Sequence, residues 1–147
     1  MASNEFLTDE QEQAVINAIQ QAENTTSAEI RVHIEEECSR DPLERAARIF
    51  HELGMDQTEE QNGVLIYIAS DDHKAAVYAG QGIHDQVGDG FWSEVLNNLI
   101  EYFKEGSYVD GIKSAVKKVA LKLEELYPYQ KGDVNELSNE ISYQDDQ

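Results

Sequence analysis

The 147-residue chain has few of the residues that several protein classes require. Its single cysteine, Cys38, excludes an internal disulfide, and none of its four histidines lies at zinc-ligand spacing from that thiol. No segment approaches the roughly 20 consecutive apolar residues that cross a bilayer. Residues 1–10 contain neither the basic nor the apolar stretch of a signal peptide. We therefore expect a cytoplasmic protein that does not insert into membranes.

Basic residues are also scarce, because 11 lysines and arginines stand against 30 acidic residues and leave a formal net charge of −19. A surface field of this sign repels phosphate backbones and anionic lipids, so we expect no nucleic-acid binding. The 40% hydrophobic and 28% charged content fits one domain with a modest core, and we expect a monomer. We assign residues 1–130 to an α/β domain and the acidic, base-poor residues 131–147 to a disordered tail.

Helix and strand patterns alternate along the first half of the chain. Thr8 and Gln11 form a capping-box pair that starts a first helix, and the period-two alternation of residues 29–34 indicates a first strand. Asp41 and Pro42 suit the cap and the first turn of a second helix. The predicted buried stripe of that helix consists of Leu43, Ala46, Ala47, Phe50 and Leu53.

Two further strands follow. Residues 64–69 are apolar at nearly every position, as in a strand that helices cover on both faces. The first two strands are expected to be parallel through a helical crossover, so their carboxyl ends share one edge of the sheet. Residues 70–74 are short enough for a hairpin turn into an antiparallel third strand at residues 75–79. The hairpin tip is therefore expected at that same edge.

Helical patterns fill the rest of the domain. A helical turn is predicted at residues 83–87, and Asp89-Gly90 precedes a longer helix with apolar residues at helical spacing. Gly106 is expected to end that helix, and Ser107 is expected to cap the last one. About five helices and at least three strands predict an α/β fold with helices on both faces of the sheet.

Two short patterns begin like known functional motifs but lack essential parts. Gly80-Gln81-Gly82 starts like a dinucleotide fingerprint, yet the third glycine and the downstream acidic residue are missing. Only one residue separates Cys38 from Arg40, which is too few for a loop that cradles a phosphate. We therefore expect neither nucleotide binding nor a cysteine-phosphatase mechanism.

Five carboxylates gather around the predicted strand ends. They are Asp71 and Asp72 in the hairpin, Glu35 and Glu36 after the first strand, and Asp89 before the longer helix. Ligands of α/β sheets bind beyond the carboxyl ends of the strands, and carboxylates held close repel one another unless a cation joins them. The cluster predicts a divalent-cation site, since calcium prefers oxygen ligands. Turn formation, helix capping and a solvated glutamate run are the alternative explanation.

An ordered series of segments resembles the TPM domain, a family named after thylakoid lumen, photosystem II repair and nematode acetylcholine-receptor-modulating proteins. The resemblance spans residues 6–129, and the tail falls outside it. No single segment is diagnostic, but their order is fairly specific. The segments are Ser27-Ala-Glu-Ile-Arg-Val-His-Ile, Asp41-Pro-Leu-Glu-Arg-Ala, Leu53-Gly-Met, Asn62-Gly-Val-Leu-Ile-Tyr, Asp72-His-Lys, Gly82-Ile-His and Val87-Gly-Asp-Gly-Phe-Trp.

The resemblance implies a Rossmann-like three-layer α/β/α sandwich with a mixed, roughly four-stranded sheet. It also implies a Ca²⁺ site, with Mg²⁺ as the other candidate ion, in the crevice formed by acidic loops. Members from plants are described as acid phosphatases, whereas many bacterial members have no assigned activity. This chain looks like the small soluble bacterial form of the family.

The chain departs from the family pattern at three positions. His73 stands where a basic residue often follows the hairpin aspartate, and Gly80 stands where an acidic residue is frequent. Asp89-Gly90 shifts the acidic residue that often directly precedes the Phe-Trp pair. A histidine in place of a guanidinium weakens a scheme that needs fixed positive charge against phosphate.

Three hypotheses follow. The first is a calcium-binding TPM-like domain that acts through a protein partner and has no chemistry of its own. The alternative is a metal-assisted acid phosphatase acting on phosphomonoesters, with His73 or His84 as the general acid. The third is an acidic adaptor without an ion site.

Overall fold

A computed structural model describes residues 7–57, 62–128 and 141–143 of the chain. Five α-helices, four strands and one 3₁₀ turn are assigned in these residues. In chain order they are α1 (Asp9–Glu23), β1 (Ile30–Glu35), α2 (Pro42–Glu52), the 3₁₀ turn (Met55–Gln57), β2 (Val64–Ala69), β3 (Lys74–Ala79), α3 (Gln81–Val87), α4 (Asp89–Lys104), α5 (Tyr108–Leu126) and β4 (Ser142–Tyr143).

The sheet is mixed and has the strand order β3-β2-β1-β4. β1 is parallel to β2 and β4, and β2 is antiparallel to β3. The three strands expected from the sequence are therefore confirmed, with the predicted relative directions. The hairpin between β2 and β3 lies at the edge of the sheet where β1 and β2 end.

The fourth strand comes from the segment predicted to be a disordered tail. Ser142 and Tyr143 pair with His33 and Ile34 of β1, and the side chain of Ile141 is buried. The Tyr143 hydroxyl donates a hydrogen bond to a carboxylate oxygen of Glu12 on α1. Ser142 and Tyr143 thus belong to the sheet, while residues 131–140 and 144–147 of the predicted tail lie outside the described residues.

Helices cover both faces of the sheet, which confirms the predicted three-layer α/β/α sandwich. β2 alternates between two apolar cores: Val64, Ile66 and Ile68 pack with residues of α1, α4 and α5, whereas Leu65 and Tyr67 pack with residues of α2. This alternation explains why β2 is apolar at every position, since each face of the strand is covered. Among the described helices, none is long and apolar enough to cross a bilayer.

The predicted starts of α1 and α2 are confirmed, whereas α3 begins two residues and α4 one to two residues earlier than predicted, and one core prediction is wrong. Thr8 and Gln11 form the reciprocal capping box of α1, and the Asp41 side chain accepts a hydrogen bond from the Glu44 backbone N–H at 3.2 Å. Leu43, predicted to be buried, is 50% exposed. It lies in the first turn of α2, where it lines an open groove beside β3 instead of packing into the core beneath the helix.

Two helical glycines are expected to respond in opposite directions to alanine substitution. A Cβ on Gly111 of α5 would lie 2.8 Å from the Tyr102 Cβ on α4, so the helices would have to move apart. A Cβ on Gly90 meets no atom within 4 Å. We expect Gly111→Ala to lower the free energy of unfolding by about 1–3 kcal/mol through overpacking. Gly90→Ala should raise it by up to about 1 kcal/mol through helix propensity.

Urea unfolding of the two variants, compared with the parent protein, tests this difference. The pair is matched because both substitutions add one methyl group to a helix at a position with ordinary helical backbone angles. Equal effects of the two substitutions would show that the close α4–α5 approach at Gly111 does not limit stability.

Candidate functional site

The loops that follow β1 and β2 run side by side at the carboxyl edge of the parallel strands. The backbone N–H of Ser70 donates to the carbonyl of Glu35, and that of Asp71 donates to the carbonyl of Glu36, each at 2.8 Å. These two bonds extend the parallel pairing beyond the strand ends. The predicted proximity of the two loops is therefore confirmed.

The hairpin tip is tied to the β1 loop by two further contacts. The backbone N–H of Cys38 donates to a carboxylate oxygen of Asp72 at 2.7 Å, and the Lys74 ammonium donates to the Cys38 carbonyl at 3.0 Å. His73 at the tip has a left-handed backbone with φ of 55°, as the tight turn requires. Backbone and side-chain hydrogen bonds thus hold the two acidic loops together. We call residues 36–38 and 70–74 the acidic edge.

Three of the five predicted ligands lie at the acidic edge. The side chains of Glu36, Asp71 and Asp72 are all exposed there. Within the described part of the chain, no three His, Cys, Asp or Glu side chains are close enough together to hold a metal ion. The acidic edge therefore supplies oxygen donors on adjoining loops. In the described arrangement these side chains do not converge on one point, as the ligands of a bound ion would.

Glu35, the fourth predicted ligand, turns into the layer between the sheet and α2. It is 1% exposed. Arg45 of α2 bonds both of its carboxylate oxygens, the Tyr67 hydroxyl donates to Oε2 at 2.6 Å, and His33 Nε2 lies 3.2 Å from Oε1. Both oxygens therefore already have two partners, which leaves this carboxylate poorly suited to an ion in the crevice.

The electrostatics of this buried network keep Glu35 ionised. Burial acts to raise its pKa, but hydrogen bonds from His33, Arg45 and Tyr67 outweigh that effect and lower the pKa to about 2. Burial and the hydrogen bond to Glu35 raise the pKa of Tyr67. The His33 ring also lies 2.8 Å from the Ser142 hydroxyl, so the network reaches β4. Local sequence patterns do not predict this network, because its members are separated by up to 109 positions.

Asp89, the fifth predicted ligand, is the first residue of α4. Gln86, three residues before Asp89, donates to the Tyr127 hydroxyl at 2.6 Å, and the Tyr127 carbonyl accepts from the N–H of Ser27 at 2.9 Å. Ser27 lies just before β1, so α4 begins on the side of the sheet where β1 starts. The structure therefore does not bring Asp89 together with Asp71 and Asp72, which lie where β2 ends.

Comparison with known proteins agrees with the fold and with the family resemblance. The BA42 protein of the psychrophilic bacterium Bizionia argentinensis is 43% identical, with a TM-score of 0.86 over 93% of this chain and 94% of that one. Two more distant solved structures share the fold alone. The N-terminal domain of a P. gingivalis protein is 17% identical, with a TM-score of 0.69 over 85% of this chain and 82% of that one. The N-terminal domain of the cg2496 protein of Corynebacterium glutamicum is 12% identical, with a TM-score of 0.63 over 80% of this chain and 74% of that one.

No curated protein matches the chain. The family model of the TPM domain matches residues 1–122, which takes in every element from α1 to most of α5 and stops before β4. With this match over most of its length, the chain belongs to the TPM domain family.

Proposed function

We propose that the acidic edge binds a divalent cation, Ca²⁺ before Mg²⁺, and that the loops ordered by the ion are recognised by a protein partner. The observation that carries the proposal is the fixed juxtaposition of the Glu36 and Asp71 backbones, 2.8 Å apart from N to O, with three exposed carboxylates on the joined loops. Calcium tolerates irregular oxygen coordination better than magnesium, which demands near-ideal octahedral geometry.

Glu36, Asp71 and Asp72 would hold the ion in this proposal. Glu35 would act indirectly, because its engaged carboxylate fixes the end of β1 from which Glu36 extends. Asp89 would serve as the start of α4 instead of as a ligand. The Asp72 carboxylate already accepts the Cys38 N–H, so the ion would share an oxygen or use the other one.

Hydrolysis of phosphomonoesters is less well supported than cation binding. Two of the described cations near the acidic edge are engaged, Lys74 with the Cys38 carbonyl and Arg45 with the Glu35 carboxylate. Arg40, two residues after Cys38, is exposed to solvent instead of lying in an enclosed site. Phosphoryl chemistry uses free cationic groups to stabilise the charge that develops on the transferred phosphoryl oxygens. The proposal therefore assigns binding, without hydrolysis, to this edge.

A two-dimensional amide NMR titration of chelator-stripped protein with Ca²⁺ and then Mg²⁺ tests the proposal. We expect saturable shifts at residues 36–38 and 70–74, and at least tenfold weaker binding in Asp71→Asn and Asp72→Asn. The asparagine at position 72 can still accept the Cys38 N–H, so the loop keeps its tie. Asp110→Asn removes an exposed charge in the first turn of α5 and should bind as the parent does.

Two outcomes would contradict the proposal. Unsaturated shifts scattered over surface acids would mean that the carboxylates are only solvated, as in the adaptor hypothesis. Metal-dependent hydrolysis of p-nitrophenyl phosphate, lost in Asp72→Asn and kept in Asp110→Asn, would replace it with the phosphatase alternative.

A further inference from the structure

A groove of about 1050 Å³ runs along β3, the strand at one end of the sheet. The strand order leaves β3 with β2 as its only neighbour among the described strands. The groove has β3 as its floor, α2 on one side, and α3 and α4 on the other. Its walls include Leu43, Ala47 and Phe50 from α2 and Trp92, Ser93 and Leu96 from α4.

The register of the hairpin determines which backbone groups of β3 face this groove. The Gly80 N–H donates to the Gly63 carbonyl at 2.8 Å, so the antiparallel pair 63/80 is hydrogen-bonded and alternate pairs along the ladder follow it. The N–H and C=O groups of Ala75, Val77 and Ala79 consequently point away from β2. Within the described chain, none of these three residues has a backbone bond on that side. The groove floor is therefore an unpaired strand edge.

The shape of the groove favours a single added strand over a second copy of the protein. Paired strands lie about 4.8 Å apart. The β3 edge lies between α2 and α4. If two copies approached edge to edge, their α2 and α4 helices would collide before the two β3 strands could pair. A lone extended peptide can enter between the helices and pair with the unpaired backbone groups.

Charge and side-chain alternation define the chemistry of the occupant. Asp41 and Asp56 line the α2 side, where the His51 ring contacts the Asp56 carboxylate, and no lysine or arginine is among the described lining residues. Apolar side chains of Trp92 and Leu96 line the opposite side. Successive side chains of an added strand point to opposite faces, so one set would meet the acidic wall and the other the apolar wall. A net charge of −19 favours the same cationic partner.

We infer that the β3 groove binds an extended segment of a partner protein by strand addition, with lysine or arginine alternating with apolar residues. The cationic residues face Asp41 and Asp56, and their aliphatic stems lie against Leu43 and Phe50. The apolar residues pack toward Trp92 and Leu96. The exposure of Leu43, which the helix pattern assigned to the core, is explained by this role.

The test uses the full chain and a blocked heptapeptide of alternating lysine and valine, without divalent cation, so that failure of the proposed ion site has no bearing on it. Trp92 is the only tryptophan, and it lines the groove, so its fluorescence reports binding. We expect saturable binding, at least tenfold weaker binding of the glutamate–valine counterpart, and loss of binding when alternate peptide nitrogens are methylated. Amide shifts should map to β3.

Two pairs of variants separate backbone pairing from charge. Val77→Pro removes an outward N–H without removing a bond to β2, and should weaken binding at least tenfold, while Val77→Ala keeps that N–H and should bind nearly as the parent does. Asp41→Asn keeps an N-cap side chain but loses the charge, and should weaken binding about two- to fivefold. Glu124→Gln, exposed on α5, should have no effect.

Three results would overturn the inference. Equal binding of the N-methylated peptide to the parent protein would exclude strand addition even if Val77→Pro failed to fold. Equal binding of the acidic and basic peptides would exclude the charge assignment. A concentration-dependent dimer with shifts confined to β3 would show that a second copy occupies the groove.

Discussion

Arg45→Met is expected to lower the free energy of unfolding by about 3–5 kcal/mol, because it leaves the Glu35 carboxylate buried without its counter-charge. Glu35 is 1% exposed and Arg45 bonds both of its oxygens. The Tyr67 hydroxyl and His33 remain as partners, but neither carries the fixed positive charge of a guanidinium. Urea denaturation followed by circular dichroism measures the change.

Arg48→Met is the matched control for this substitution. Arg48 lies on the same helix and is exposed, so its replacement should change stability by no more than about 0.5 kcal/mol. Adding Glu35→Gln to Arg45→Met removes the uncompensated charge and should recover part of the loss. Similar stability of the two arginine variants would show that the buried ion pair is not needed to hold α2 against the sheet.

The second large effect is a loss of stability in acid that arises from Glu35. Its pKa is about 2 in the folded protein, against the ordinary value of 4.5 expected in the unfolded chain. Because the pKa of Glu35 is lower in the folded protein, its ionisation contributes to the free energy of unfolding. This contribution is complete above about pH 5.5 and is lost as pH falls toward 2. That contribution is about 3 kcal/mol. Urea unfolding at pH 6, 4 and 3 should show the parent's advantage over Glu35→Gln shrinking at each step.

Direct titration of the Glu35 side chain isolates this effect from the other acidic groups. Carbon-13 NMR of the Glu35 Cδ should show a midpoint near pH 2, whereas exposed Glu124 serves as the internal comparison. A Glu35 midpoint near 4.5 would contradict the assignment of the network as the source of acid lability. The measurement needs only the parent protein, so it stands even if Glu35→Gln is poorly folded.

Local patterns in the sequence predicted most of the fold. The capping pair of Thr8 and Gln11 starts α1, and the apolar run of residues 64–69 is the buried central strand β2. These features are visible because a cap uses residues three apart and a strand repeats with a period of two. The adjoining loops at residues 36–38 and 70–74 were also predictable, since parallel strands end at one edge of a sheet.

The sequence by itself therefore determined the order of the five helices and the first three strands, the directions of those strands and the acidic character of their shared edge. The tertiary structure decided the points that depend on residues far apart in the chain. It placed the Glu35 carboxylate in a buried network with Arg45, and it placed Ser142 against His33, 109 positions away. It also separated Asp89 from the hairpin acids. Periodicity indicates which face of an element is covered, but only packing determines which element covers it and which strand edge remains open.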